Sequence, residues 1–301
     1  MIRVAAPAAL QLKERSTPNG ACSALLTLTK PGIVAAVTLS GFAAMVLAGN
    51  GLPETRTALS CLASLLLMAV GAALTNSVLD QRMDQRMERL ALRSAALKRI
   101  GAGSALVSAA VSTCAALTIA SAELNARVVL LLLAASLSYV LFYTLMLKPY
   151  THWAAIWGGI PGAIPVLVGS AAVSTAPDSA TLALFLILLL WQPPHFWLLS
   201  LAHMEEYQAA GVPVLPLRKG IGFTKRSICL GALALIPASL LPWSAGPCSR
   251  AYALCALALG SLFLLVCCYY LYFRSDYRPL FRGSILYLTL LLTGIIIDLS
   301  R

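Results

Sequence analysis

The sequence predicts an all-α, polytopic membrane protein with nine transmembrane helices, and three observations carry that prediction. Hydrophobic residues make up 59% of the 301 and charged residues only 11%, under half the roughly 25% of a soluble domain, and mean hydropathy is +0.84. Apolar runs recur along the chain, each near the roughly 20 residues that cross about 30 Å of hydrocarbon at 1.5 Å per residue. The cations between those runs fall mostly on one side. Disorder is excluded, because it needs low hydrophobicity and high charge. With 20 Gly, 16 Pro and 8 Cys in no regular period, collagen-like and disulfide-scaffold chains are excluded too.

Taken in order, residues 1–28 hold Arg3, Lys13, Glu14, Arg15, Pro18 and Gly20, with too weak an apolar run for a cleavable leader. They are expected to form a mostly flexible cytoplasmic tail, leaving 29–301 as the transmembrane domain. The apolar stretches lie near 33–49, 58–79, 101–121, 126–147, 153–175, 179–201, 227–246, 251–273 and 283–299. Short loops make consecutive spans antiparallel neighbours. With a cytoplasmic N-terminus, one face receives Arg3, Lys13, Arg15, Lys30, the six cations of 80–100, Lys148, the four of 202–226, and Arg274, Arg278 and Arg282. The other receives Arg56, Arg127, Arg250 and Arg301. This asymmetry follows the positive-inside rule and accounts for the net charge of +11 without any nucleic acid. An odd number of spans then puts the C-terminus outside. The cysteines form no C-x-x-C pair and lie mostly in apolar runs, so neither a disulfide framework nor a thiolate metal site is read from them.

Two cytoplasmic loops hold the unusual chemistry. At 100° per residue, Asn76, Asp80, Asp84 and Glu88 would form one polar stripe about 18 Å long on a helix continuing out of the second span. Carboxylates at that spacing repel each other unless a positive charge lies between them. A hard divalent cation such as Mg²⁺ fits, since it binds through one or two carboxylates while substrate phosphates complete its shell. A solvated helix end laced by Arg82, Arg86 and Arg89 fits the spacing as well. The second loop follows Pro193 and Pro194, a pair that interrupts the backbone ladder inside a span. Hydrocarbon tolerates this only where protein or a wet cavity satisfies the freed groups. His195 comes next, then His203, Glu205, Glu206, Tyr207, Gly211, Pro213, Pro216, Arg218 and Lys219.

Together these residues resemble the UbiA superfamily of intramembrane prenyltransferases and, within it, the haem-farnesylating branch. The likeness runs from Thr29, Lys30 and Pro31 through Asn76, Asp80, Asp84, Met87 and Arg89, which match N-x-x-x-D-x-x-x-D-x-x-M-x-R. It continues through Tyr143, Thr144, Leu147 and Lys148, Gly158, Gly159, Gly162 and Pro165, to Ser284, Tyr287 and Asp298. Pro194-His195-Phe196-Trp197 and the run from Tyr207 to Pro216 resemble the haem branch in particular. Glu206 stands where the family usually has Asp, Ser77 replaces a second Asn, and Arg93 alone survives from the usual T-x-x-R-P-L.

The resemblance implies a UbiA-type bundle whose cytoplasmic loops cap a central cavity. It implies an inner-membrane enzyme that transfers the farnesyl group of farnesyl diphosphate to the 2-vinyl group of haem B, with water addition giving haem O. Asp80, Asp84 and Glu206 would hold Mg²⁺, with Asn76 completing the stripe. Lys30, Arg93, Lys148 and Lys219 would stabilise the departing diphosphate. Arg89 and Tyr207 would join the substrate site, and Tyr143 would face the allylic cation with its ring. His195 would contact haem iron or move a proton, with His203 a second candidate. Arg218 and Lys219 would otherwise meet haem propionates. Haem A synthase or a terminal oxidase under assembly would be the partner receiving the product.

Blander readings stand beside these. Trp153, Trp157, Trp191, Trp197 and Trp243 read as an interfacial belt, the Gly158–Gly162 spacing as close helix packing, His152 as an interface residue, and Asp178 and Glu123 as solvated. A secondary transporter would place its sites near the midplane of repeated halves. A structural subunit would not need two acidic clusters on one face. A quinone-type prenyltransferase would show a second D-x-x-x-D, and Glu206 has Ala202 and Ala210 at those offsets.

Overall fold

The computed structural model describes residues 20–301, and all regular structure among them is helical. Nine of the helices are long and apolar enough to cross a membrane. In chain order the helices are α1 (Ala21–Leu28), α2 (Pro31–Gly49), α3 (Thr55–Leu79), α4 (Gln81–Asp84), α5 (Ala91–Ile100), α6 (Ala102–Glu123) and α7 (Ala126–Leu137). Then follow α8 (Ala154–Trp157), α9 (Gly159–Val173), α10 (Ser179–Ala202), α11 (Met204–Ala209), α12 (Leu215–Lys219), α13 (Ile221–Ser244), α14 (Arg250–Phe273) and α15 (Arg278–Leu299). A π-helix, Ser138–Leu147, continues α7 without a break.

Local chemistry sets the helix ends. Pro31 occupies the first turn of α2, where its missing N–H costs nothing. The Asn125 side chain caps α7, accepting from Arg127 N and Val128 N. Asp178, read as solvated, caps α10 by accepting from Thr181 N at 2.7 Å. Glu123, read the same way, pairs with Arg56 at 2.6 Å. Asp298 accepts from Ser249 N at 2.7 Å and from the Ser249 hydroxyl, which itself caps α14. The end of the last helix is thereby tied to the start of its neighbour.

Apolar faces cannot draw helices together in lipid, so close backbone packing does that work. A Cβ on Gly169 of α9 would overlap the Gly41 carbonyl oxygen of α2. At Gly71 of α3, a Cβ would come within 3.0 Å of the Ala109 carbonyl of α6.

Three sequence expectations are revised. Residues 21–28, assigned to the tail, form α1, whose Ala24 and Leu28 pack with Ala96 and Leu97 of α5. The Ser77 hydroxyl donates to Leu28 O at 3.1 Å. Residues 1–19 lie outside the described residues. The four-residue polar stripe does not continue as one helix: α3 ends at Leu79, α4 lasts one turn, and Met87 is extended. Glu88 is therefore exposed in a separate 3₁₀ turn, while Asn76, Asp80 and Asp84 are buried. Trp197 and Trp191 are not belt residues. Trp197 is 7% exposed, and Trp191 Nε1 donates to Ser284 O at 2.8 Å.

Candidate active site

The C-terminal end of α3 delivers Asn76 and Asp80 to one end of the bundle, and α4 adds Asp84. Each is at most 2% exposed. Buried carboxylates are tolerated only when paired. Lys148 Nζ lies 2.5 Å from Asp80 Oδ2, and the Arg93 guanidinium pairs with Asp84. Lys30 donates to Asn76 Oδ1, and the Asn76 amide N–H donates to Thr144 Oγ1 at 2.8 Å. Burial, then repulsion from Arg93, lowers the Lys30 ammonium to about 7, with Asp80 opposing. Three basic side chains thus meet two carboxylates. An incoming polyanion would hold Lys30 in its protonated form and so suits this set of groups.

The π winding brings this cluster together. From Tyr139 to Lys148, nine steps at 100° would turn about 900° and place the two on opposite faces. A ladder bonded to the fifth residue takes about 4.4 residues per turn and brings them to one face. Lys148 N donates to Tyr143 O, five residues back, at 2.9 Å, and the Thr144 hydroxyl adds a side-chain bond to Tyr139 O at 2.9 Å. Tyr139 and Tyr143 stack with centroids 5.8 Å apart, and Lys30 Nζ reaches the Tyr139 hydroxyl at 3.5 Å. Gly158 is required here, because a Cβ would come within 2.5 Å of the Tyr143 ring. A Cβ on Gly162 would overlap the Gln192 amide, which donates to Gly159 O at 3.1 Å. The close-packing reading of these glycines holds.

The second loop packs on the first. Met83, Met87 and Leu90 form one apolar cluster with Tyr207, Ala210, Val212, Val214 and Leu217. The Arg89 guanidinium lies 5.3 Å from the Tyr207 ring centroid and donates to the Tyr207 hydroxyl at 3.1 Å. Burial raises the Tyr207 phenol, against the pull of Arg89. Glu206 accepts from the Arg89 backbone N–H at 3.3 Å, and its other oxygen lies 3.1 Å from His203 Nδ1. Glu206 and Tyr207 therefore clamp the two loops together through Arg89, with His203 steadying the Glu206 carboxylate from its own loop. Among the described residues no three His, Cys, Asp or Glu side chains gather into one cluster, and Glu206 pairs with Arg89 across the loops.

A cavity lies between these loops and the bundle, lined by Tyr143, Lys148, Phe196, Trp197, Tyr207 and Val212 among others, and edged by His152. Lys148 thus touches both the cavity and Asp80. His195 is not in the lining. It lies between Trp191, at 4.3 Å, and Phe281, at 4.7 Å, with Nδ1 2.7 Å from Ser284 Oγ. Arg218 and Lys219 are exposed at the end of α12. Sequence reasoning missed His152, Thr144 and Trp197 as site residues. Thr144 carried a signal, since it adjoins Tyr143 in the quoted motif.

The aspartates suit a hard cation. Asp80 Oδ1 is buried with no hydrogen-bond partner, an expensive state for a carboxylate oxygen unless something else occupies it. Two oxygen-donor carboxylates beside an anion site are the usual protein contribution to Mg²⁺.

A profile described as the UbiA prenyltransferase family matches residues 36–292. The chain belongs to that family. Among UbiA relatives, it is 49% identical over 255 residues to protoheme IX farnesyltransferase of Geotalea uraniireducens, covering 85% of this chain and 98% of that one. It is 33% identical over 277 residues to the protein of that name from Aquifex aeolicus, covering 92% and 95%. The UbiA homolog of Aeropyrum pernix superposes with a TM-score of 0.73 at 17% identity, over 88% of this chain and 98% of that one. The Archaeoglobus fulgidus UbiA homolog bound to DMAPP and Mg²⁺ superposes with a TM-score of 0.66 at 14% identity, over 91% and 99%. The all-α UbiA fold is thus shared, and the chain is a multi-pass membrane protein.

Proposed function

We propose that this chain transfers the farnesyl group of farnesyl diphosphate to the 2-vinyl group of haem B, giving haem O. The observation that carries the reading is the pair of buried aspartates, one with an unpartnered oxygen, beside an aromatic-lined cavity that Lys148 shares. The likeness to protoheme IX farnesyltransferases over most of the chain supports haem as acceptor.

In this reading Asp80 and Asp84 would hold Mg²⁺, which would supply charge neutralisation to the departing diphosphate. The allylic C–O bond breaks and its electron pair stays on the diphosphate, where Lys30, Arg93 and Lys148 stabilise the developing charge. Tyr143 faces the allylic cation with its ring. The terminal vinyl carbon attacks that cation, water adds to the resulting benzylic-type carbon, and the water proton leaves to solvent or diphosphate. Apolar walls keep water from the cation until the carbon–carbon bond has formed. Glu206 and Arg89 hold the loops together, and His195 braces α10 against α15 rather than binding iron. The proposal includes a cytoplasmic-membrane location, with the N-terminus cytoplasmic and the C-terminus outside.

The test is purified protein with Mg²⁺, farnesyl diphosphate and haem B, with products read by mass spectrometry. The expected product is haem O. Transfer to 4-hydroxybenzoate instead, or no product, overturns the reading. Asp80→Ala and Asp84→Ala should each abolish turnover while membrane insertion persists.

A further inference from the structure

Most polar side chains that are buried without a partner belong to the aspartate cluster or lie away from the cavity. Two belong to residues that line the cavity, Trp197 Nε1 and His152 Nε2. A buried indole N–H ordinarily finds an acceptor, and it can only donate. Trp197 is 7% exposed, so bulk water does not serve it. No acidic side chain lines the cavity, whereas Lys148 does. Arg218 and Lys219 lie close enough to help burial lower the His152 imidazole, burial being the larger cause. The indole's missing partner is therefore an acceptor, the neutral imidazole can donate to the same acceptor in the tautomer that carries its proton on Nε2, and the surrounding field favours an anionic one.

We infer that Trp197 and His152 form a carboxylate-binding subsite for the acceptor, holding a propionate of the haem at the edge of the cavity. The inference rests on the proposed function and adds the residues that orient the macrocycle. The diphosphate of the donor is the other anion within reach, but Asp80 and Asp84 sit beside Lys30, Arg93 and Lys148 and already provide its place. A propionate fits the donor-only indole and the imidazole at the cavity wall.

The test titrates the Soret band of the full-length protein with haem B and with its dimethyl ester, without farnesyl diphosphate. Wild type should bind the free acid at least about tenfold tighter, as expected for hydrogen bonds to a charged group. Trp197→Phe keeps a ring and removes the N–H, and His152→Gln changes a loop residue outside the helices. Each should narrow the acid-to-ester ratio three- to tenfold. Equilibrium binding of farnesyl diphosphate, measured in parallel, should stay within twofold. An unchanged ratio in both variants overturns the inference. So does weaker farnesyl diphosphate binding with the ratio intact, which would assign these groups to the donor. If wild type makes haem O and the ratio is unchanged, this inference alone fails. If wild type binds no haem, the proposed function fails with it.

Discussion

Asp80 and Lys148 form a pair whose members cannot be removed singly without cost. Lys148→Met leaves the Asp80 carboxylate, 2% exposed, without its cation, and the loss should be about 3 kcal/mol. The midpoint of thermal unfolding in detergent should fall accordingly, and adding Asp80→Asn should recover part of it. A double variant no better than Lys148→Met would argue against the pair. Thr144 acts through another residue: by accepting from the Asn76 amide it leaves Asn76 Oδ1 turned to Lys30. Thr144→Val frees that amide to rotate. It should raise the KM for farnesyl diphosphate roughly tenfold with kcat little changed, as expected for one lost hydrogen bond beside charged groups, and Thr144→Ser should restore it. A uniform loss of stability without a KM shift would point to packing alone.

Among the elements, the π-helix concentrates the most function in the fewest residues. Deleting Leu141 should let the segment relax to α winding, and the eight remaining steps would then set Tyr139 and Lys148 about 80° apart instead of on one face. The expected outcome is inactive protein that still inserts and extracts as wild type does. Activity within tenfold of wild type would show that the winding is incidental. This feature was not legible in the sequence, because 126–147 reads as a plain apolar run whether its ladder closes at the fourth or the fifth residue. The spans themselves were legible because hydrocarbon thickness sets their length. Their cytoplasmic ends were not: 76–88 was read as one helix, while the chain turns at Asp80 and is extended at Met87. The aspartates were found from spacing and family pattern together. His195 reads as functional because a membrane histidine is costly to bury, and in the structure it stacks between Trp191 and Phe281 with Nδ1 beside Ser284 Oγ.

For the molecule as a whole, the charge asymmetry predicts topology. In a background with native cysteines replaced, Gly220→Cys should react with a membrane-impermeant maleimide only in inverted vesicles, and Ala176→Cys only in right-side-out ones. Reversed labelling would put the aspartates on the far side and overturn the proposed orientation. Agreement would place the cluster of Lys30, Arg93 and Lys148 where a soluble diphosphate can reach it. The loop clamp of Arg89, Glu206 and Tyr207 ties together, at this face, two sequence stretches more than a hundred residues apart.

Lys148 has one ammonium and two neighbours that want it, the Asp80 oxygen and whatever fills the cavity. A cation taking over Asp80 would release that ammonium toward the second compartment, and the two occupancies would then be energetically linked. Linkage is reciprocal. Donor and acceptor affinities measured one at a time will understate those of the ternary complex, and the order of addition will matter to the observed rate.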